Sequence, residues 1–145
     1  MTEAVAIANA NVALAKYWGK RDEALNLPYT GSISINLAGL TTTARVRFTD
    51  KRGEDRVIMS GRQVDGLEAT RVRKFLDVVR QLAGRNCGAE VEVASNFPVA
   101  AGLASSASTF AALAVAATHA AGIILSEQEL SRLWARYVDL EWQCA

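Results

Sequence analysis

Two stretches of the chain alternate apolar and polar residues with the two-residue period of a half-buried β-strand. Residues 32–37 read Ser-Ile-Ser-Ile-Asn-Leu. Residues 41–49 put Ala44, Val46 and Phe48 on one face and two arginines on the other. Both stretches therefore predict strands with one face turned to a core.

Clusters of β-branched and apolar residues predict further short strands. These four strands cover residues 4–9, 12–17, 56–60 and 89–94. A turn at residues 9–11 would separate the first two of them. The charged segment 50–55 predicts a hairpin loop.

Helical periodicity appears in three segments. Residues 66–84 repeat apolar side chains every three or four positions, with Leu82 or Ala83 completing the face, and Gly84 stands where a helix C-cap is expected. An Ala-rich helix is predicted over 109–122, and Ser126-Glu-Gln-Glu129 is a capping box that opens a last helix. Early strands followed by helices and one more strand predict a two-layer α+β fold.

Composition narrows the function classes. The chain has 145 residues, of which 50% are hydrophobic, so it can build a core of at most one ordinary domain. Its 16 basic and 15 acidic residues nearly balance, which argues against a protein that mainly binds nucleic acid or a membrane surface. The most apolar stretch, residues 110–125, is short and interrupted, and it predicts a buried helix.

The thiols and the single histidine add little chemistry. Cys87 and Cys144 form neither a disulfide framework nor a metal-ligand spacing, so we expect free thiols in a reducing compartment. The N-terminus lacks the pattern of a signal peptide, and we expect a cytoplasmic protein. His119, without a nameable partner, is expected on a helix face.

One loop offers candidate chemistry. Asn96-Phe-Pro-Val-Ala-Ala-Gly-Leu-Ala-Ser-Ser-Ala-Ser108 connects a predicted strand to the Ala-rich helix. The free N–H groups and the dipole of a first helical turn favour an anion, and Gly102 permits close approach of a ligand. These features predict a cradle for nucleotide phosphates, although no Gly-Lys-Ser/Thr of a Walker loop follows. A serine-capped loop that binds nothing is equally consistent with these residues alone.

A second stretch, Lys16-Tyr-Trp-Gly-Lys20, combines an aromatic pair, a glycine and two lysines. Lys20 offers a point charge for phosphate, and Tyr17 offers a phenol donor. By itself this stretch is better explained as the end of a strand with an aromatic plug and two solvated lysines.

Taken together, the two stretches resemble the diphosphomevalonate decarboxylase family of the GHMP kinase superfamily. The resemblance implies the N-terminal part of the GHMP fold, an antiparallel-rich sheet packed on helices. It also implies that ATP phosphorylates the 3-hydroxyl of 5-diphosphomevalonate before phosphate and CO2 leave, which gives isopentenyl diphosphate for isoprenoid biosynthesis. The similar segments are 11–22, 25–28, 32–34, 96–107 and 110–113.

The same resemblance assigns roles to single residues. Ser106 would lie near both the ATP γ-phosphate and Mg²⁺. Arg71 would bind a substrate phosphate, a match to the family position that requires one inserted residue after Gly61. The alternative for Arg71 is a solvated arginine on the helix. A homodimer is left open. The residues expected to line the diphosphomevalonate site are Tyr17, Trp18, Gly19 and Lys20. Those expected to hold the ATP phosphates are Ala101, Gly102, Leu103, Ala104, Ser105 and Ser106.

The C-terminal residues depart from the family pattern. The family continues with a Gly-Ser-rich phosphate-binding segment, a second domain and a catalytic aspartate, whereas this sequence ends Tyr137-Val-Asp-Leu-Glu-Trp-Gln-Cys-Ala145. The context of Asp139 does not match the catalytic aspartate, so we assign no catalytic residue. We expect a partial domain over 1–136 and an aberrant tail over 137–145. Codons for the last five residues can be read one base later as Ser-Gly-Ser-Ala, which suggests a frameshift.

Three other functions stay open at this stage. They are another GHMP small-molecule kinase, a decarboxylase specific for a mevalonate monophosphate, and a non-catalytic remnant that binds a nucleotide. We expect the isolated chain to be inactive as a decarboxylase.

Overall fold

A computed structural model describes residues 2–15, 19–22, 24, 27–28, 31, 33–51, 53–98 and 105–137. Its strands are β1 (Thr2–Ala15), β2 (Lys20–Asp22), β3 (Leu27–Pro28), β4 (Ile33–Thr49), β5 (Asp55–Met59), β6 (Arg62–Gln63) and β7 (Gly88–Ser95). Its helices are α1 (Leu67–Ala83), α2 (Ser105–Ala121) and α3 (Glu127–Ala135). Helices pack on a mostly antiparallel sheet, which confirms the predicted α+β class.

The main sheet has five strands in the order β1-β4-β7-β5-β6, and β2 pairs with β3 in a separate two-stranded sheet. Only β5 and β7 run parallel; the other described pairs are antiparallel. Strand β7 lies at the centre. The alternation predicted over residues 41–49 is confirmed by Ala44, Val46 and Phe48, which are buried. The prediction that residues 32–37 turn one face to a core is wrong: Ile33 and Ile35 are 65% and 46% exposed, because β7 pairs with β4 only over 42–49.

The predicted turn at residues 9–11 is wrong, because β1 continues through it. Asn9 pairs with Thr41 and Ala10 pairs with Leu37, so three residues of β4 bulge out between these partners. Gly39 has a φ of 85° within that bulge, a conformation that glycine adopts without strain. The two predicted strands 32–37 and 41–49 are thus one irregular strand, and the pairing extends along both sides of the bulge.

The predicted hairpin at residues 50–55 is also wrong. Strands β4 and β5 are not neighbours, because β7 lies between them. Strand β4 pairs with one edge of β7 and β5 pairs with the other. Ala89, Val91 and Val93 of β7 lie between them and are almost completely buried. Strand β7, which comes later in the chain, therefore occupies the position beside β4 that the predicted hairpin would have given to β5.

The helices agree more closely with expectation. In α1, Val72, Phe75, Leu76 and Val79 are fully buried, and Gly84 ends the helix in the left-handed conformation. Ala83 packs against the core and Leu82 is exposed, so Ala83 is the residue that completes the apolar face of α1.

Helix α2 begins at Ser105, four residues earlier than predicted, and forms much of the core. His119 is exposed on its surface, as expected.

The capping box of α3 is present, with Ser126 accepting from the Glu129 N–H and the Glu129 carboxylate accepting from the Ser126 N–H. Among the described residues, no helix has the length and apolar character required to span a membrane.

Candidate functional site

Hydrogen bonds of Asn96 fix the start of the loop that follows the central strand β7. The Asn96 side chain accepts from the Thr41 N–H at 2.8 Å and donates to the Gly39 carbonyl at 2.8 Å. The Asn96 N–H also donates to the Thr41 carbonyl at 3.0 Å. Three hydrogen bonds thus anchor the start of the loop to β4, and they do so beside the bulge.

The loop is followed directly by the first turn of α2, where Ser105 and Ser106 are half-buried. The first four N–H groups of a helix have no partner within the helix, and its dipole adds partial positive charge there. This turn is thus suited to an anion. Residues 101–104, predicted to hold phosphate with the two serines, lie outside the described residues.

A cavity of about 330 Å³ lies beside this turn. Helix α1 forms one wall, and the ends of β5, β6 and β7 with the start of α2 form the rest. Its apolar lining residues are Met59, Val64, Val72, Val93 and Phe110. Its polar lining residues are Ser60, Arg62, Glu68, Arg71, Ser95, Ser105, Ser106 and Thr109.

The cavity brings together three residues that the sequence singled out separately. Arg71 of α1 lines it with Ser105 and Ser106, although the sequence separates the arginine from the serines by more than 30 positions. Two arginines, Arg62 and Arg71, and one carboxylate, Glu68, are the ionisable lining groups among the described residues. This balance favours an anionic ligand, and the apolar lining accommodates a flat or uncharged part of it.

The other predicted residues lie elsewhere or cannot be located. Gly19 has a φ of 79°, and Lys20 begins β2, where it pairs with Pro28. Neither lines the cavity in the part of the chain that the structure describes. Tyr17 and Trp18 are outside the described residues.

Sequence reasoning missed several lining residues. Ser60, Arg62 and Glu68 belong to no recognisable motif, because they come from three separate places: the β5–β6 turn, the start of β6 and the start of α1. The parallel pairing of β5 with β7 brings the first two beside α2. The only local sequence signal near these residues is the turn at Ser60-Gly61, which glycine favours; the two residues have φ values of 50° and 77°.

An aromatic cluster lies behind the cavity. The ring of Phe110, which lines the cavity, stacks on Tyr137 at 5.8 Å between centroids, and Phe75 meets both rings edge-on. Burial raises the pKa of the Tyr137 phenol; to a smaller extent the charge of Arg136 lowers this pKa and the charge of Asp77 raises it. Tyr137, the first residue of the expected tail, is half-buried and packs against the core; residues 138–145 lie outside the described residues.

A family model described as "Diphosphomevalonate decarboxylase-like N-terminal domain" matches residues 8–138. The chain belongs to this family. Phosphomevalonate decarboxylase of Haloferax volcanii is 37% identical over 134 residues, which cover 92% of this chain and 41% of that relative. Diphosphomevalonate decarboxylase of Rattus norvegicus is 38% identical over 86% of this chain and 35% of its own length.

Solved structures of this family share the fold. Mevalonate diphosphate decarboxylase from Staphylococcus aureus superposes with a TM-score of 0.87 and 43% identity, over 94% of this chain and 41% of that chain. A structure of MDDEF in complex with MVAPP, AMPPCP and magnesium has a TM-score of 0.85 and 40% identity, over 99% of this chain and 43% of that one. The chain thus spans about two fifths of the length of these family members.

Proposed function

We propose that this chain is the nucleotide-binding part of an ATP-dependent decarboxylase that converts 5-diphosphomevalonate to isopentenyl diphosphate. The observation that supports this most is the shared cavity of Arg71, Ser105 and Ser106 at the N-terminus of α2. Serine hydroxyls, a helix N-terminus and arginines together suit a polyphosphate. The apolar lining suits the base or sugar of a nucleotide.

In this proposal Ser105 and Ser106, with residues 101–104, hold the ATP phosphates. The Ser106 hydroxyl is also the candidate Mg²⁺ contact, since hydroxyl oxygens suit this hard cation, and Mg²⁺ would neutralise phosphate charge. Arg71, the candidate arginine for a substrate phosphate, lines the same cavity and supplies positive charge beside the ATP phosphates. Catalysis of phosphoryl transfer rests largely on such positioning and charge stabilisation.

The substrate side of the proposal involves the segment before β2. Tyr17, Trp18, Gly19 and Lys20 would contact diphosphomevalonate, and its 3-hydroxyl would receive the phosphoryl group before phosphate and CO2 are lost. Gly19 and Lys20 do not line the cavity, whereas Arg71, the candidate for a substrate phosphate, does. The proposal therefore places a substrate phosphate at Arg71 in the cavity and the rest of the substrate toward the 17–20 segment.

For the 145-residue chain alone we propose nucleotide binding without steady decarboxylation, because none of its residues is assigned as catalytic. A cytoplasmic location and a role in lipid metabolism belong to the same proposal. The expected boundary between residues 136 and 137 also stays a prediction, which sequencing of the gene through this region would test.

Replacing Ser106 with alanine tests the phosphate-binding role. We expect the affinity of the chain for AMPPCP, titrated calorimetrically with excess Mg²⁺, to fall about tenfold to hundredfold, since a hydrogen bond to a charged group contributes about 1.5–3 kcal/mol. The matched control is Ser131→Ala, which removes an exposed serine from α3 outside the cavity. Equal affinities of the Ser106→Ala and Ser131→Ala chains would contradict the assignment.

A monophosphate substrate is the second candidate, favoured by the similarity to the phosphomevalonate decarboxylase of Haloferax volcanii. Titration of the AMPPCP-saturated chain with 5-phosphomevalonate and 5-diphosphomevalonate separates the two. We expect tighter binding of the diphosphate. Tighter binding of the monophosphate would replace the first candidate with the second.

A further inference from the structure

A line of three hydroxyl groups connects β7, β4 and α2 beneath the cavity. The Ser95 and Thr42 hydroxyl oxygens are 2.7 Å apart, and those of Thr42 and Ser108 are 2.8 Å apart. The Ser108 hydroxyl donates to the Ser105 carbonyl at 3.1 Å. Thr42 is fully buried and Ser108 is 1% exposed, so water does not compete for the hydroxyl groups of these two residues.

The direction of this line follows from counting protons. A hydroxyl carries one proton and a carbonyl carries none, so Ser108 must donate its proton to Ser105. Thr42 must then donate to Ser108, and Ser95 must donate to Thr42. The hydroxyl of Thr42 is consequently the only link in this line between the sheet and the first turn of α2.

Both ends of the line reach the cavity, because Ser95 and Ser105 line it. The Ser105 carbonyl accepts the Thr109 N–H in any regular helix, so α2 does not need the Ser108 bond in order to form. What the line adds is a fixed position of the first turn relative to β4 and β7. Buried polar networks whose members are all satisfied commonly fix one arrangement in this way.

We propose that Thr42 is a positioning residue: acting through Ser108, its hydroxyl fixes where Ser105 and Ser106 stand in the cavity. The effect on a nucleotide rests on the proposed function, whereas the effect on the helix turn does not. Thr42 contacts no ligand in this proposal and acts only through the turn.

The test compares Thr42→Val, which keeps the shape of the side chain and removes the hydroxyl, with Thr42→Ser, which keeps the hydroxyl and removes a methyl group. Ser108→Ala interrupts the same line at its next member and serves as the second variant. Hydrogen exchange of the Thr109 N–H in the nucleotide-free chain reports on the turn, with α1 amides as the internal reference. Affinity for AMPPCP with Mg²⁺ reports on binding.

We expect Thr42→Val and Ser108→Ala to speed exchange at Thr109 about threefold to tenfold relative to α1, and to weaken AMPPCP binding by a similar factor. Thr42→Ser should retain wild-type values in both measurements. Equal effects of Thr42→Val and Thr42→Ser, or no change at Thr109, would overturn the proposal. If the wild-type chain does not bind AMPPCP, the proposed function fails, and the exchange comparison still decides the positioning role.

Discussion

Replacing Asp55 with alanine is expected to destabilise the chain by about 3–5 kcal/mol, the usual cost of removing one partner from a buried ion pair. Asp55 at the start of β5 pairs with Arg80 of α1, and the two side chains are only 13% and 12% exposed. The same carboxylate accepts from the Ala89 N–H of β7 at 3.0 Å. The substitution thus leaves both a guanidinium and a backbone N–H without their buried acceptor.

The charge on Arg80 makes this loss costly. Burial by itself lowers the pKa of Arg80, but hydrogen bonds and the charges of Asp55 and Asp77 outweigh it and raise the pKa above its ordinary value. The guanidinium therefore stays protonated, and it also lies 6.0 Å from the ring centre of Phe48. Without Asp55 it would remain a charged group close to the core.

Asp77→Ala is the matched control, because Asp77 also bonds to Arg80, at 2.8 Å, but is 63% exposed. An exposed ion pair contributes about 0–1 kcal/mol. Urea unfolding followed by circular dichroism gives the free energy of unfolding of each variant. The account is contradicted if Asp55→Ala costs no more than Asp77→Ala.

Phe75→Ala is the other substitution with a large expected effect, again about 3–5 kcal/mol. Phe75 is fully buried in α1, and its ring lies 5.8 Å from that of Phe110 and 5.3 Å from that of Tyr137, edge-on to both. Truncation removes one of the three rings of the cluster, a ring that contacts both of the others, and leaves a cavity in its place. Such loss of packing combines the transfer free energy with the cost of the cavity.

Leu82→Ala controls for the effect of alanine in the same helix, because Leu82 is 57% exposed. Its expected effect is within about 0.5 kcal/mol. The same urea experiment measures both variants, and near-equal midpoints with equal slopes would show that the aromatic cluster contributes little to stability.

The sequence alone predicted the elements whose signals are local. The apolar repeat and C-cap glycine of α1, the capping box of α3 and the alternation over residues 41–49 of β4 each depend on neighbours within a few residues, and all three are confirmed. The sequence predicts a start of α2 that is four residues too late, because serines at 105 and 106 are as typical of a loop as of a first helical turn.

What could not be predicted depends on distant pairing. Strand β7 enters between β4 and β5, and no feature of the 50–55 segment reveals that a strand more than 30 residues later will separate them. The same pairing brings Ser60 and Arg62 to the cavity wall. The serine-containing first turn of α2 is therefore visible in the sequence, whereas the other walls of the cavity are not.

The central claim, that the cavity between α1 and the start of α2 binds a nucleotide, is tested most directly by nuclear magnetic resonance. The ¹⁵N-labelled chain is titrated with AMPPCP and Mg²⁺, and backbone amide shifts are followed. The account predicts saturable changes concentrated at lining residues such as Ser60, Arg71, Ser95 and Thr109, with the outer sheet face around Arg45 unchanged. Changes confined to that outer face, or no saturable change at all, would contradict it.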